Sequence, residues 1–194
     1  MTASSLSAVV PAAGRASRFG GRKLLADIAG APLLQRTLES LLRAGVARVI
    51  LVVRDGNAFE GVPALHDPRV STVVNPDPER GMFSSIQAGL AATAGDAPVL
   101  VIPGDMPFVA AATVAAVAAH AMTTGRVVIP VHEGRRGHPI ALPARLRDGL
   151  LALDPTTTLK AALADLDAGV TPLLLTVADA GILRDVDTPA DLGR

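Results

Sequence analysis

The feature that most constrains the fold is an alternation of short β-branched apolar runs with segments of helical periodicity. The runs are LSAVVPA at 6–12, ARVILVV at 47–53, STVVN at 71–75, APVLVIP at 97–103 and RVVIPV at 126–131. Continuous apolar runs of this length suit strands buried on both faces. Between the first two, Leu33, Leu34, Leu38, Leu41 and Leu42 form one stripe opposite Gln35, Arg36, Glu39 and Arg43, with Pro32 at the start and Gly45 at the end. That spacing predicts an amphipathic helix. SSIQAGLAATA and AAATVAAVAAHAM predict two more helices, each preceding a strand. The alternation implies an α/β sandwich with a mostly parallel central sheet. After Val131, HEGRRGHPIAL predicts two short strands around a polar turn. A helix near TTTLKAALADL and a strand LLLTV follow, so a small mixed element is expected at one sheet edge. With no repeat and no long linker, residues 1–194 are expected to form a single domain.

Composition narrows the function classes. Lys plus Arg equals Asp plus Glu at 18 each, so no overall basic field argues for nucleic acid or an anionic membrane surface. The balance hides an asymmetry: residues 1–48 carry seven Lys/Arg against two Asp/Glu, and residues 148–194 carry three against eight. If the two ends meet, a basic loop faces an acidic one. The absence of cysteine excludes disulfides, thiolate metal sites and a cysteine nucleophile, and it fits a cytoplasmic protein. MTASSLSAVV has no basic leader region, so no signal peptide is expected. Residues 106–125 lack any charged side chain but are rich in alanine and threonine, as a buried helix would be.

In an open sheet of this kind ligands bind beyond the carboxyl ends of the strands. That rule gathers three loops, 13–23, 75–85 and 104–107, on one rim. The first holds Gly14, Gly20 and Gly21 with Arg15, Arg18, Arg22 and Lys23, and no acid. Its glycine spacing is not GxGxxG, and Lys23 is followed by Leu24 rather than Ser or Thr, which excludes the dinucleotide and P-loop grips. What remains is a loop of free amides and fixed cations suited to a polyphosphate. In the second loop Gly81 gives a turn, and Ser84 or Ser85 is expected to cap the next helix. In the third, an apolar strand delivers Gly104 and Asp105. A carboxylate there either caps a helix or holds Mg²⁺ together with phosphate oxygens. Near the end, Asp185 and Asp187 form a DxD pair that either completes such a site or caps a last turn. It lies too late in the chain to be the nucleophile of a haloacid dehalogenase-like phosphatase. His138 lies beside Arg135 and Arg136, where it could touch an anionic second substrate; His66 and His120 have no constellation around them.

Taken in order, these segments resemble the MobA-like nucleotidyltransferases, and most closely the molybdenum cofactor cytidylyltransferase branch. The opening pattern is matched by Ala12, Ala13, Gly14, Arg18, Gly20 and Lys23, and the middle pattern by Gly81, Ser84 and Ser85. Gly104, Asp105 and Pro107 match GDxP, and Gly137, His138 and Pro139 match GHP. Asp185, Asp187, Thr188, Pro189, Asp191 and Leu192 match the terminal DxDTPxDL. The resemblance implies a Rossmann-like three-layer α/β/α fold. It implies that NMP is transferred from a nucleoside triphosphate to a phosphate or alcohol acceptor, with release of pyrophosphate. Arg18 and Lys23 would contact the triphosphate, Ala12 to Gly14 and Gly81 to Ser85 the base and ribose, and Asp105 with Asp187 the Mg²⁺. Ala13, where the guanylyl-transferring branch carries glycine, favours CTP. The acceptor implied is a phosphorylated compound of the molybdopterin type, and the product would pass to a molybdoenzyme or its chaperone. The DPTTT segment at 154–158 departs from the family pattern and bears on the acceptor. The opening VVPAAG is shared with the cytidylyltransferases of isoprenoid synthesis, which stand as one alternative beside the guanylyltransferases. A nucleotide-binding regulatory protein is the alternative outside enzymology.

Overall fold

A computed structural model of the protein describes residues 6–14, 23–56, 59–166, 171–188 and 191. The main sheet is built from β1 (Ser7–Pro11), β4 (Arg48–Val53), β5 (Val70–Val74), β6 (Val99–Val101), β7 (Val128–His132), β8 (Arg135–Arg136), β9 (Ile140–Leu142) and β10 (Leu173–Thr176). A separate two-strand ribbon pairs β2 (Asp27–Ile28) with β3 (Ala31–Pro32). The helices are α1 (Leu33–Arg43), α2 (Met82–Ala91), α3 (Ala111–Thr124), α4 (Arg147–Ala152) and α5 (Leu159–Leu166).

Strand order is β10-β7-β9-β6-β1-β4-β5, with β8 paired to β7. The pairs β1 with β4, β1 with β6, β4 with β5 and β7 with β10 are parallel. The mixed element therefore departs from the edge position expected of it. β9 runs antiparallel between β6 and β7, inside the sheet. The reason is chain reversal: β7 turns back at Glu133 and Gly134, both at positive φ, and the returning chain fills the gap beside β6. The polar turn is only those two residues, because Arg135 and Arg136 pair back onto His132 and Val131.

Alternation along the buried strands divides the core in two. Ala8, Val10, Val49, Leu51 and Leu100 pack with the leucine stripe of α1 and with Val114 and Val117 of α3. Val9, Ile50, Val52 and Val101 face the other way, against Phe83, Ile86 and Leu90 of α2 and Leu150 of α4. The result is the three-layer α/β/α sandwich. Gly89 lets α2 sit directly on β1, since a methyl there would overlap the Val9 side chain. Among the described residues no helix is long and apolar enough to cross a membrane.

Candidate active site

The parallel core strands β1, β5 and β6 end on one rim, and their loops converge there. Gly104 N donates to Pro11 O at 3.0 Å, which draws the two central loops together. A methyl on Gly104 would lie 3.3 Å from that carbonyl, tighter than ordinary contact. Thr37 of α1 fixes the same turn from below, its hydroxyl donating to Gly104 O at 3.0 Å. Asp105 is thereby presented at the rim. It caps no helix: its Oδ2 accepts from Lys23 Nζ at 2.7 Å.

Lys23 also donates to Asp187 Oδ1 at 2.7 Å, joining residues 164 positions apart. Lys23, at the end of the basic segment, thus meets the acidic end of the chain. The Lys23 side chain is only 11% exposed. Burial is the largest single influence on its ammonium and opposes the charge. The hydrogen bonds and charges of Asp105 and Asp187 together outweigh it and hold the pKa above the ordinary lysine value. Asp187 reaches this position because the tail is latched along the sheet: Val186 N donates to Asp105 O at 3.1 Å and His138 N to Ile182 O at 3.1 Å. Asp191 holds the next turn, accepting from Thr188 N and Thr188 Oγ1, each at 2.8 Å. Asp185 stands beside the pair. Its carboxyl is held above the usual range by burial first and then by the charges of Asp187 and Asp105.

The serines do not cap α2. The N-cap position is Gly81, at φ 101° and ψ −177°, a conformation reserved for glycine. Ser84 and Ser85 lie inside the first turns, both buried. Ser84 Oγ donates back to Gly81 O at 2.7 Å. Both hydroxyls accept from one buried amide, Asn75 Nδ2, at 2.9 and 3.0 Å. Asn75 Oδ1 in turn accepts from Asp77 N at 3.0 Å. Asn75 is thus the organiser of this wall, a role for which the only signal in the sequence is its position directly after a strand.

Two cavities meet at Asp105. One, of about 300 Å³, is lined by Ala12, Ala13, Gly14 and Lys23 on one side and by Pro78, Gly81, Met82 and Ser85 on the other. The second, of about 430 Å³, is lined by Arg135, Arg136, His138, Asp185 and Asp187. Met82, Pro103 and Asp105 belong to both. Burial keeps the His138 imidazole below its ordinary pKa, with the Asp105 charge opposing, so the ring is neutral at pH 7. The structure therefore brings together Ala12, Ala13, Gly14, Lys23, Gly81, Ser85, Asp105, Asp187 and His138; Gly104 and Ser84 support the walls. Arg18, Gly20 and the neighbouring Arg15 and Arg22 lie outside the described residues.

The chain is similar to several known nucleotidyltransferases. The probable molybdenum cofactor guanylyltransferase of Thermococcus kodakarensis is 40% identical over 94 residues, 47% of this chain and 46% of that protein. The 2-C-methyl-D-erythritol 4-phosphate cytidylyltransferase of Nocardia farcinica is 35% identical over 146 residues, 72% of this chain and 56% of that one. The first of these matches, like those to bifunctional GlmU proteins, spans less than half of the relative's length. Among solved structures, Rv0371c from Mycobacterium tuberculosis superposes with a TM-score of 0.81 at 29% identity, covering 100% of this chain and 98% of that chain. A manganese complex of Rv0371C gives 0.75 at 25% identity, covering 97% and 96%. With residues 8–170 matching the MobA-like NTP transferase domain, the chain belongs to that family and carries its nucleotidyltransferase domain.

Proposed function

We propose that this protein is a Mg²⁺-dependent cytidylyltransferase that transfers CMP from CTP to a phosphorylated acceptor of the molybdopterin type. The observation that carries this reading is Lys23 held between Asp105 and Asp187 at the seam of two cavities. In the smaller cavity, backbone at 12–14 and 81 and the Ser85 hydroxyl offer the polar edges a base and ribose require. Ala13 is among the residues that line it, and its side chain, where the guanylyl-transferring branch carries glycine, supports the choice of a pyrimidine. In the larger, Arg135 and Arg136 supply positive charge for an anionic acceptor beside the neutral His138. A phosphate oxygen of the acceptor attacks the α-phosphorus, the bond to the β-phosphate oxygen breaks, and pyrophosphate leaves. Such a step asks mainly for alignment and neutralisation of charge, so no covalent nucleophile is needed.

The carboxylates fit the ion. Mg²⁺ prefers one or two carboxylates completed by substrate phosphates, and Asp105 and Asp187 already share one cation. Bound there, the ion would neutralise charge developing on the phosphates. Arg18 is assigned with Lys23 to the triphosphate. The reading also assigns the protein to the cytoplasm, with the molybdoenzyme or its chaperone receiving the product.

The test is pyrophosphate release with each of CTP, GTP, ATP and UTP in the presence of Mg²⁺ and acceptor. CTP is expected to lead, and Asp105→Asn and Lys23→Ala are expected to lose about 10²–10³-fold in turnover. Full activity in both variants, or release led by GTP, overturns the assignment. The manganese complex of Rv0371C makes Mn²⁺ a natural second metal for the same assay.

A further inference from the structure

Arg54 has no place in the reaction just proposed, yet it touches both walls of the smaller cavity. It stands directly after β4, on the rim. Its Nε donates to Ala13 O at 3.2 Å, and its Nη1 donates to Glu79 Oε1 at 2.7 Å. Ala13 belongs to the wall formed by residues 12–14, and Glu79 to the short helical turn Pro78–Arg80 that leads into Gly81 and the opposite wall. One planar guanidinium therefore spans the cleft from outside. The two walls come from different strands, β1 and β5, and neither is bound to the other by the sheet, since β4 lies between them.

We infer that Arg54 is a positioning residue that sets the separation of the two walls of the nucleotide cavity, and with it the discrimination among bases. This deepens the proposed nucleotide site and rests on that reading. A stabilising role is too small to explain the arrangement. The pair is half exposed, at 37% for Arg54 and 52% for Glu79, and ion pairs of that exposure contribute little to stability. Geometry is different. A pocket discriminates ligands through close fit, and a small displacement of one wall removes fit without unfolding anything. Arginine is required because only its fork makes both bonds at once. Lysine at this position keeps the charge opposite Glu79 and loses the second, rigidly placed donor.

The experiment is calorimetric titration of wild type, Arg54→Ala and Arg54→Lys with CTP, UTP, GTP and ATP, together with thermal melting of each protein. Both variants are expected to bind the preferred nucleotide about tenfold more weakly, with the ratio between preferred and next nucleotide falling by a similar factor. Melting temperatures should stay within about 2 °C of wild type. Unchanged affinities and ratios in both variants, with wild type binding normally, overturn this inference alone. A uniform loss for all four nucleotides with a large fall in melting temperature also overturns it, because the role is then structural. Binding equal to wild type in Arg54→Lys shows that charge suffices and overturns the bridging role. Wild type that binds no nucleoside triphosphate overturns the proposed function as well.

Discussion

At the scale of single residues, the site depends on charges and donors placed where water is scarce. His138 shows how this reads out in stability. Burial lowers its pKa below the ordinary 6.5, so the unfolded chain takes up a proton that the folded protein refuses. The sign follows: stability is full above about pH 6.5 and falls as the pH drops below it. Urea unfolding at about pH 7.5 and about pH 5.5 should show a larger loss for wild type than for His138→Gln; equal losses would mean that the ring titrates freely. Asn75 makes a second case. Its amide serves both Ser84 and Ser85 in a buried setting, so Asn75→Ala should cost about 1–3 kcal/mol by leaving those hydroxyls short of a donor. Asn75→Asp should be no better, since a carboxylate cannot donate to them, and denaturant melts of both variants provide the check.

At the scale of elements, periodicity predicted the long strands and helices in place, but the β2–β3 ribbon and the short α4 were not foreseen, since elements of two to six residues carry too little pattern. β1, β4 to β7 and α1 stand within about two residues of the runs that announced them, because strands buried on both faces and a single leucine stripe leave strong local signals. The start of α2 was less legible. The sequence suggested a serine cap, but the helix begins two residues earlier, at Met82, after a glycine whose positive φ supplies the turn. The serines serve an amide from a neighbouring loop, which no local rule reveals. Contact between α2 and β1 yields a further prediction. Gly89→Ala adds a methyl against Val9, and a β-branched strand side chain has little room to move. Overpacking of about 1–3 kcal/mol opposes a helix-propensity gain of about 1 kcal/mol, so the variant should be destabilised by up to about 2 kcal/mol in a denaturant melt.

At the scale of the whole molecule, the site depends on the tail returning across the sheet. Asp179 anchors that return: Oδ2 accepts from Ala110 N and Thr113 Oγ1 at the start of α3, at 3.0 and 2.6 Å, while Oδ1 accepts from Gly181 N at 2.9 Å. It caps α3 from a distance. Gly181 lies so close to Phe108 O that a methyl there has no space, and Arg184 stacks 3.8 Å above the Phe108 ring. Asp179→Ala should therefore lower stability by about 0.5–2 kcal/mol through the lost cap. It should also reduce pyrophosphate release in the assay above, because Asp187 loses its placement. Full turnover with a normal melt would show that the tail holds its course unaided. By itself the sequence determined the α/β class and the rim loops, because periodicity and turn residues are local properties, and through its ordered motifs it put forward Lys23, Asp105 and Asp187 as candidates. The antiparallel insertion of β9, the Asn75 organiser, the Arg54 bridge and the joining of Lys23 to Asp187 were decided only by tertiary structure. Each is a contact between segments far apart in the chain, and its partner is chosen by how the layers pack, which no local pattern encodes.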